Sequence, residues 1–162
     1  MSKAWKDGKY ENSPMGRGIQ GYVHIEKSAK ESKDIYFRSL LELFYLLEAE
    51  EDPNIITIAS EPVHIKLIDN SIYVPDFLIN DELLIELKPH NHMKWRKDSV
   101  DNRFEKEMDG AKKFCEEKNW KFKLIYDIDI GFETNKYKKF LLSHPEIIEK
   151  YNIRFNKPLK PY

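Results

Sequence analysis

Cysteine occurs once, at Cys115, so an intramolecular disulfide and a cysteine-cluster zinc site are both excluded, and nothing argues for an oxidising compartment. Neither sign of charge is in surplus, and the formal net charge is -1. That counts against a tight, non-specific nucleic-acid binder, whose domain carries a clear positive excess, unless charge is segregated by face. No apolar run approaches the roughly 18 residues of a membrane span, so no membrane partner is expected. Residues 1–9 alternate in charge and lack the apolar stretch of a secretory signal, which makes the cytoplasm the expected location. Internal repeats and low-complexity tracts are absent.

What is present is a chain of 162 residues, 41% hydrophobic and 34% charged. That is the composition of one soluble globular domain with a single core and a polar surface. Glycine is sparse and concentrated early, where Gly8, Gly16, Gly18 and Gly21 accompany Pro14. Residues 1–33 have no sustained period before Tyr22 and read as an extended N-terminal arm. The arm has three more cations than anions, with Trp5, Tyr10 and Tyr22 interleaved. Such an arm either lies on DNA or packs on its own domain, and the small surplus favours packing.

Phe37, Leu40, Leu41, Phe44 and Leu47 recur at spacings of three and four, which predicts a helix over residues 34–51. Asp52-Pro53-Asn54 ends it. Residues 55–58 make a brief strand or linker. Val63, Ile65 and Leu67 alternate with His64, Lys66 and Ile68 in a first main strand, and residues 72–79 and 83–88 are the second and third. Phe104, Met108, Ala111, Phe114 and Cys115 mark a second helix over residues 99–118. Trp120, Phe122, Leu124 and Tyr126 alternate in a fourth strand. A strand, a long helix and a strand imply a right-handed crossover between parallel neighbours. The expected fold is therefore α/β, a mixed four-stranded sheet in order αβββαβ over residues 34–130. Residues 131–162 add two short helices, broken at His144-Pro145, and an extended tail.

The second and third strands enclose an unusual hairpin. Asp76 and Glu86 are symmetric about Asp81, and a three-residue turn of Asn80, Asp81 and Glu82 sets them opposite each other. Opposed residues of antiparallel strands share a face, with Cβ atoms roughly 4.5–5.5 Å apart, where like charges repel. A hard cation between the two would remove that cost and use both sets of oxygens. Glu86 and Lys88 share a face, and Leu83, Ile85 and Leu87 take the other, towards a core. Pro75 cannot donate to a ladder, so the strand bends or lies at an edge just before Asp76. The plain alternative is a solvated hairpin on which Glu86 and Lys88 only aid solubility.

Glu42 is open to two readings. Ser39-Leu40-Leu41-Glu42 has the form of a capping box at a helix start. A helix that begins near Asp34 instead projects Glu42 from its middle towards Asp76 and Glu86, as a metal or water ligand. The apolar stripe already includes Phe37, which favours the earlier start. Past the hairpin, Pro89 ends the strand and a basic loop follows. His90, Lys94, Arg96, Lys97 and Arg103 are its candidates for contact with DNA. A zinc site at His90 and His92 is disfavoured, because no cysteine or third ordered ligand accompanies them.

Pro75-Asp76, nine intervening residues and Glu86-Leu87-Lys88 resemble the signature of the PD-(D/E)xK, or restriction-endonuclease-like, nucleases. Ser39 to Glu42, Glu61-Pro62 and the run over residues 113–125 occur in the same order in two branches. One is the TnsA-like endonucleases, which cut transposon ends. The other is the small head-completion nucleases of tailed phages, where the lysine is similarly followed by Pro and His, here Pro89-His90. The resemblance covers roughly residues 35–128. It implies a Mg²⁺-dependent endonuclease, with Mn²⁺ as substitute, that hydrolyses DNA phosphodiesters.

In that reading Asp76 and Glu86 hold the cation, with Glu42 and the Leu87 backbone carbonyl, and Lys88 orients or activates the attacking water. A chain with no obvious second domain favours the phage type. DNA and phage head or neck proteins would be its partners, and the host cytoplasm or the virion its place. The alternatives are a TnsA-like transposon-end nuclease, a Holliday-junction resolvase acting as a homodimer, and a non-catalytic DNA-binding virion protein. Retention of all three motif residues counts against the last.

Overall fold

The computed structural model describes residue 16 and residues 18–91 and 102–160. In chain order it contains β1 (Gly21–His24), β2 (Asp34–Phe37), α1 (Leu40–Glu51), β3 (Ile58–Ser60), β4 (Ile65–Lys66), β5 (Ile72–Tyr73), β6 (Phe77–Ile79) and β7 (Leu83–Lys88). After these come α2 (Arg103–Lys118), β8 (Lys121–Tyr126), a 3₁₀ turn (Asp127–Ile130), α3 (Thr134–Ser143), α4 (Pro145–Lys150) and β9 (Arg154–Phe155). Leu84, Ile85, Glu86 and Leu87 are all buried on β7, so this strand is covered on both faces. It lies inside a four-stranded sheet of order β3-β6-β7-β8. The β3–β6 and β6–β7 pairs are antiparallel and β7–β8 is parallel, with α2 as the crossover. This is a mixed α/β architecture consistent with the restriction-endonuclease-like fold.

Alternation along the strands divides the core in two. Phe77, Ile79, Ile85, Leu87 and Ile125 pack with the α1 residues Leu40, Leu41, Leu43, Leu46 and Leu47. Leu78 and Leu84 face the other way, onto Met108, Ala111 and Cys115 of α2 and onto Ile65, Leu67 and Tyr73 of the β4–β5 hairpin. A second sheet, β2-β1-β9, closes the first core with Val23, Ile35 and Phe37. Its strands approach so closely that a Cβ at Gly21 would stand 2.0 Å from the Arg154 carbonyl oxygen. Only glycine fits there. Among the described residues no helix is long and apolar enough to cross a membrane.

Several boundaries differ from the sequence expectation. Residues 34–37 are a strand, and α1 starts at Leu40 behind the N-cap Ser39. Ile35 and Phe37 are inward residues of β2, and Phe37 happens to extend the helical stripe of α1. The first strand of the main sheet is Ile58–Ser60; residues 63–68 instead contribute β4 to a separate two-stranded hairpin. The expected strand over 72–79 breaks between Tyr73 and Phe77, where Pro75 removes a ladder donor. Within the expected arm and tail, β1 and β9 pair with each other. The two short helices and their break at Pro145 are as expected, with proline at the start of α4.

The hairpin turn determines what faces what. The register Phe77↔Ile85, Leu78↔Leu84, Ile79↔Leu83 leaves Asn80, Asp81 and Glu82 as a three-residue turn. One step further along the same register, Asp76 stands opposite Glu86. Asn80 and Asp81 turn the chain with φ of 53° and 58°, values that Asn and Asp tolerate best among non-glycine residues. Asn80 Oδ1 also accepts the Ile56 and Thr57 N–H groups at 2.6 and 3.2 Å, and its Nδ2 donates to the Asn54 carbonyl at 2.9 Å. Asn80→Ala removes these bonds and strains the backbone. Urea denaturation should report a loss of about 2 kcal/mol, and a change within 0.5 kcal/mol, the size of an ordinary surface substitution, would refute this anchoring role.

Candidate active site

At Asp76 the β6–β7 ladder ends in a side chain. Asp76 Oδ2 accepts the Leu87 backbone N–H at 2.7 Å. By alternation Asp76 lies on the face of Leu78, and Glu86 on the face of Leu84, beneath α2 and the β4–β5 hairpin. Glu86 is 4% exposed. Its Oε1 accepts the Tyr73 hydroxyl at 2.8 Å, and its Oε2 lies 3.1 Å from Lys88 Nζ. Glu61, just past β3, donates its N–H to the Asp76 carbonyl at 3.0 Å and pairs with the Arg38 guanidinium.

Glu42 reaches this cluster from the first turn of α1, which corrects the mid-helix expectation. Its N–H donates to Ser39 Oγ at 3.1 Å, and its Oε2 accepts the Arg38 N–H at 2.7 Å. The arrangement is a cap in which the glutamate reaches one residue further back than a capping box does. Capping did not remove Glu42 from the acid group. Its charge acts on both Asp76 and Glu86.

The three carboxylates perturb one another. Burial pushes Asp76 well above the usual carboxylate range, the charges of Glu86 and Glu42 push it further, and the Leu87 N–H and Lys88 oppose them. Burial also raises Glu86, against the pull of Lys88 and Tyr73. Glu42 is pushed up to about 7, first by burial and then by Glu86 and Glu61, with Arg38 opposing. The donors are all hard oxygens, a set that suits Mg²⁺ or Mn²⁺ and not a soft metal. Asp76 Oδ1 and Glu42 Oε1 take no hydrogen bond from a described residue. Among the described residues, no three Asp, Glu, His or Cys side chains stand in cation-coordinating geometry, since each acid is tied to its own part of the fold.

The structure thus brings Asp76, Glu86, Lys88, Leu87 and Glu42 together. Lys94, Arg96 and Lys97, like His92, lie outside the described residues. His90 is held at the end of β7 by buried Asp127, which accepts its N–H at 2.7 Å and faces its ring Nδ1 at 3.1 Å. Arg103 is turned into the fold, bonding Glu107 at 3.0 Å, the Ile72 carbonyl at 2.9 Å and Ser71 Oγ. Sequence reasoning missed Tyr73 and Glu107. A phenol at an inward position must find a polar partner, which was a usable signal for Tyr73. Glu107 sits on α2 beside the buried Met108; its charge raises Glu86 further, and its Oε1 is buried without a hydrogen bond from the described residues.

The raised value of Glu42 has a defined sign. Its folded value of about 7 exceeds the ordinary 4.5, so the folded protein holds the proton more tightly. The associated stability is present below 4.5 and is lost as pH rises through about 7. Without divalent cations, Glu42→Gln should therefore be more stable than wild type above that pH, on the order of 3 kcal/mol at about 1.4 kcal/mol per unit. The two proteins should converge near pH 4.5. Denaturant midpoints across pH check this, and a variant that is less stable at high pH would mean that the cap outweighs the repulsion.

Residues 52–127 match the family described as TnsA-like endonuclease N terminal, a restriction-endonuclease-like nuclease family. No curated protein matches the chain. The matched segment runs from the end of α1 through β8 and contains Asp76, Glu86 and Lys88, but not Glu42. Residues 52–127, just under half of the chain, are thus similar to the N-terminal nuclease domain of the TnsA-like endonucleases.

Proposed function

We propose that the chain is a divalent-metal-dependent endonuclease that hydrolyses DNA phosphodiester bonds at the Asp76–Glu86–Lys88 face. The observation that carries the reading is Lys88 Nζ, mostly buried, 3.1 Å from Glu86 and close enough to the desolvated Asp76 for its charge to act on it. A lysine tethered there is held by one acid, and a solvating lysine would point outwards. Asp76, Glu86 and Glu42, with the Leu87 carbonyl, are the groups that would hold Mg²⁺ or Mn²⁺. When bound, the cation would lower the pKa of a water and offset charge developing on the phosphate.

The chain's own residues supply position and charge. The Leu87 N–H aims the Asp76 carboxylate, and Tyr73 and Lys88 aim that of Glu86. Water attacks phosphorus in line, a P–O bond forms, and the opposite P–O ester bond breaks. Lys88 sits where its ammonium can orient that water or stabilise the phosphate's extra charge. Among endonucleases we favour the phage head-completion type, with head or neck proteins as partners, on the strength of Pro89-His90 after the lysine. A second reading, compatible with the same family match but not better supported by it, is cleavage of transposon ends together with a separate transposase. Cleavage by the purified chain alone supports the first.

The test uses linear, supercoiled and branched DNA with Mg²⁺, Mn²⁺ or neither. Cleavage should require the metal, and Lys88→Ala should lower its rate roughly 10²-fold or more. DNA affinity at fixed salt should fall much less, as one phosphate contact among several. Near wild-type cleavage by Lys88→Ala would remove the lysine from the chemistry, and equal losses in both would make it a binding residue.

A further inference from the structure

The outer face of the β2-β1-β9 sheet carries two tyrosines and an arginine in one row. Tyr22 on the central strand is paired with Tyr36 on one side and Arg154 on the other. The two rings are 5.2 Å apart between centroids, inclined at 57°, and the Arg154 guanidinium lies 5.5 Å from the Tyr22 ring centre. Asp34 Oδ2 fixes Arg154 at 2.9 Å, and the Tyr36 hydroxyl donates to Gln20. Val23, Ile35 and Phe37 take the inner face, so alternation leaves this row to solvent, with Tyr22 47% and Tyr36 38% exposed.

Cross-strand aromatic pairs and cation–π contacts also stabilise sheets by themselves. Location argues for more. Tyr22 and Tyr36 open into a cavity of about 200 Å³ whose lining includes Lys30, Ser60 and Glu61. Glu61 is the residue whose N–H bonds the Asp76 carbonyl, and its partner Arg38 gives its N–H to Glu42. Glu61 and Arg38 thus form one path of contacts from the cavity beside the aromatic row to the acid cluster. Along it Lys30, Arg38 and Arg154 outnumber Asp34 and Glu61, and each of those two acids is held by an arginine.

We propose that this row is a stacking platform for unpaired nucleotides of the DNA substrate next to the scissile bond. The identity of the ligand rests on the nuclease reading above. Exposed π faces flanked by a guanidinium take a planar aromatic ligand, and the cations along the path suit its phosphates. Bases meet both demands without sequence preference. Paired bases do not, because their faces are already stacked on one another.

The experiment measures binding of the full chain to two fluorescent DNA probes by anisotropy, at fixed salt without divalent cation. One probe is a blunt duplex, and the other is the same duplex with a single-stranded tail. Wild type should prefer the tailed probe by about tenfold or more, the worth of one or two stacked bases. Tyr22→Ala/Tyr36→Ala should lose that preference while its blunt-duplex affinity stays within about twofold. Tyr22→Phe/Tyr36→Phe keeps the rings and should keep the preference, which controls for loss of fold.

No preference in wild type, equal losses on both probes, or a loss shared by the Phe variant would overturn the platform. Cleavage of either probe by wild type with Mg²⁺ reads the nuclease assignment separately. A protein that cuts DNA without tail preference keeps the nuclease and loses the platform. One that prefers the tail and cuts nothing keeps the platform and loses the nuclease.

Discussion

A single bond of 2.7 Å, from the Leu87 N–H to the Asp76 carboxylate, fixes one acid across the hairpin from another that repels it. Folding alone would avoid such an arrangement, because desolvating a carboxylate next to like charge costs free energy twice. The surrounding structure is what makes it persist. Pro75 ends the pairing just before β6, the Asp76 carboxylate takes the Leu87 N–H where the ladder stops, and the Asn80–Glu82 turn fixes the register. Burial of Leu84 and Ile85 on opposite faces then makes a slip of one residue prohibitive.

Other parts of the molecule meet at the same point. The cap that starts α1 brings Glu42 to the acids, and through Arg38 and Glu61 it ties β2, α1 and β3 to the Asp76 backbone. The β4–β5 hairpin brings Tyr73 to Glu86, and Arg103 of α2 holds that hairpin by Ser71 and Ile72. The acid cluster is thus assembled from the ends of several elements around one strand. Among the described residues, one oxygen each of Asp76 and Glu42 takes no hydrogen bond, while the other is fixed by a backbone N–H.

Much of this was legible in the chain itself. Symmetry about Asp81 encodes the opposition of Asp76 and Glu86, because a three-residue turn centred there pairs each residue with its mirror position. The crossover helix and its parallel strand followed from periodicity. Other features depend on tertiary contact. Phe37 lies in line with the α1 stripe, so a strand and a helix read as one helix. The pairing of Ile58–Ser60 with β6, and not of residues 63–68, is decided by packing, since both runs are short and apolar. Glu107 gives no sign in a polar helix face until α2 is laid on β7.

The central proposal is that Asp76, Glu86 and Glu42 would hold a divalent cation. Calorimetric titration of the chain with Mg²⁺ above the Glu42 value of about 7 tests it most directly, on wild type and Asp76→Asn. Wild type should bind the cation and gain thermal stability from it. The Asn variant should start more stable, having lost a repelling charge, and should bind little or none. Absence of binding to wild type, or equal binding by both proteins, would contradict the account.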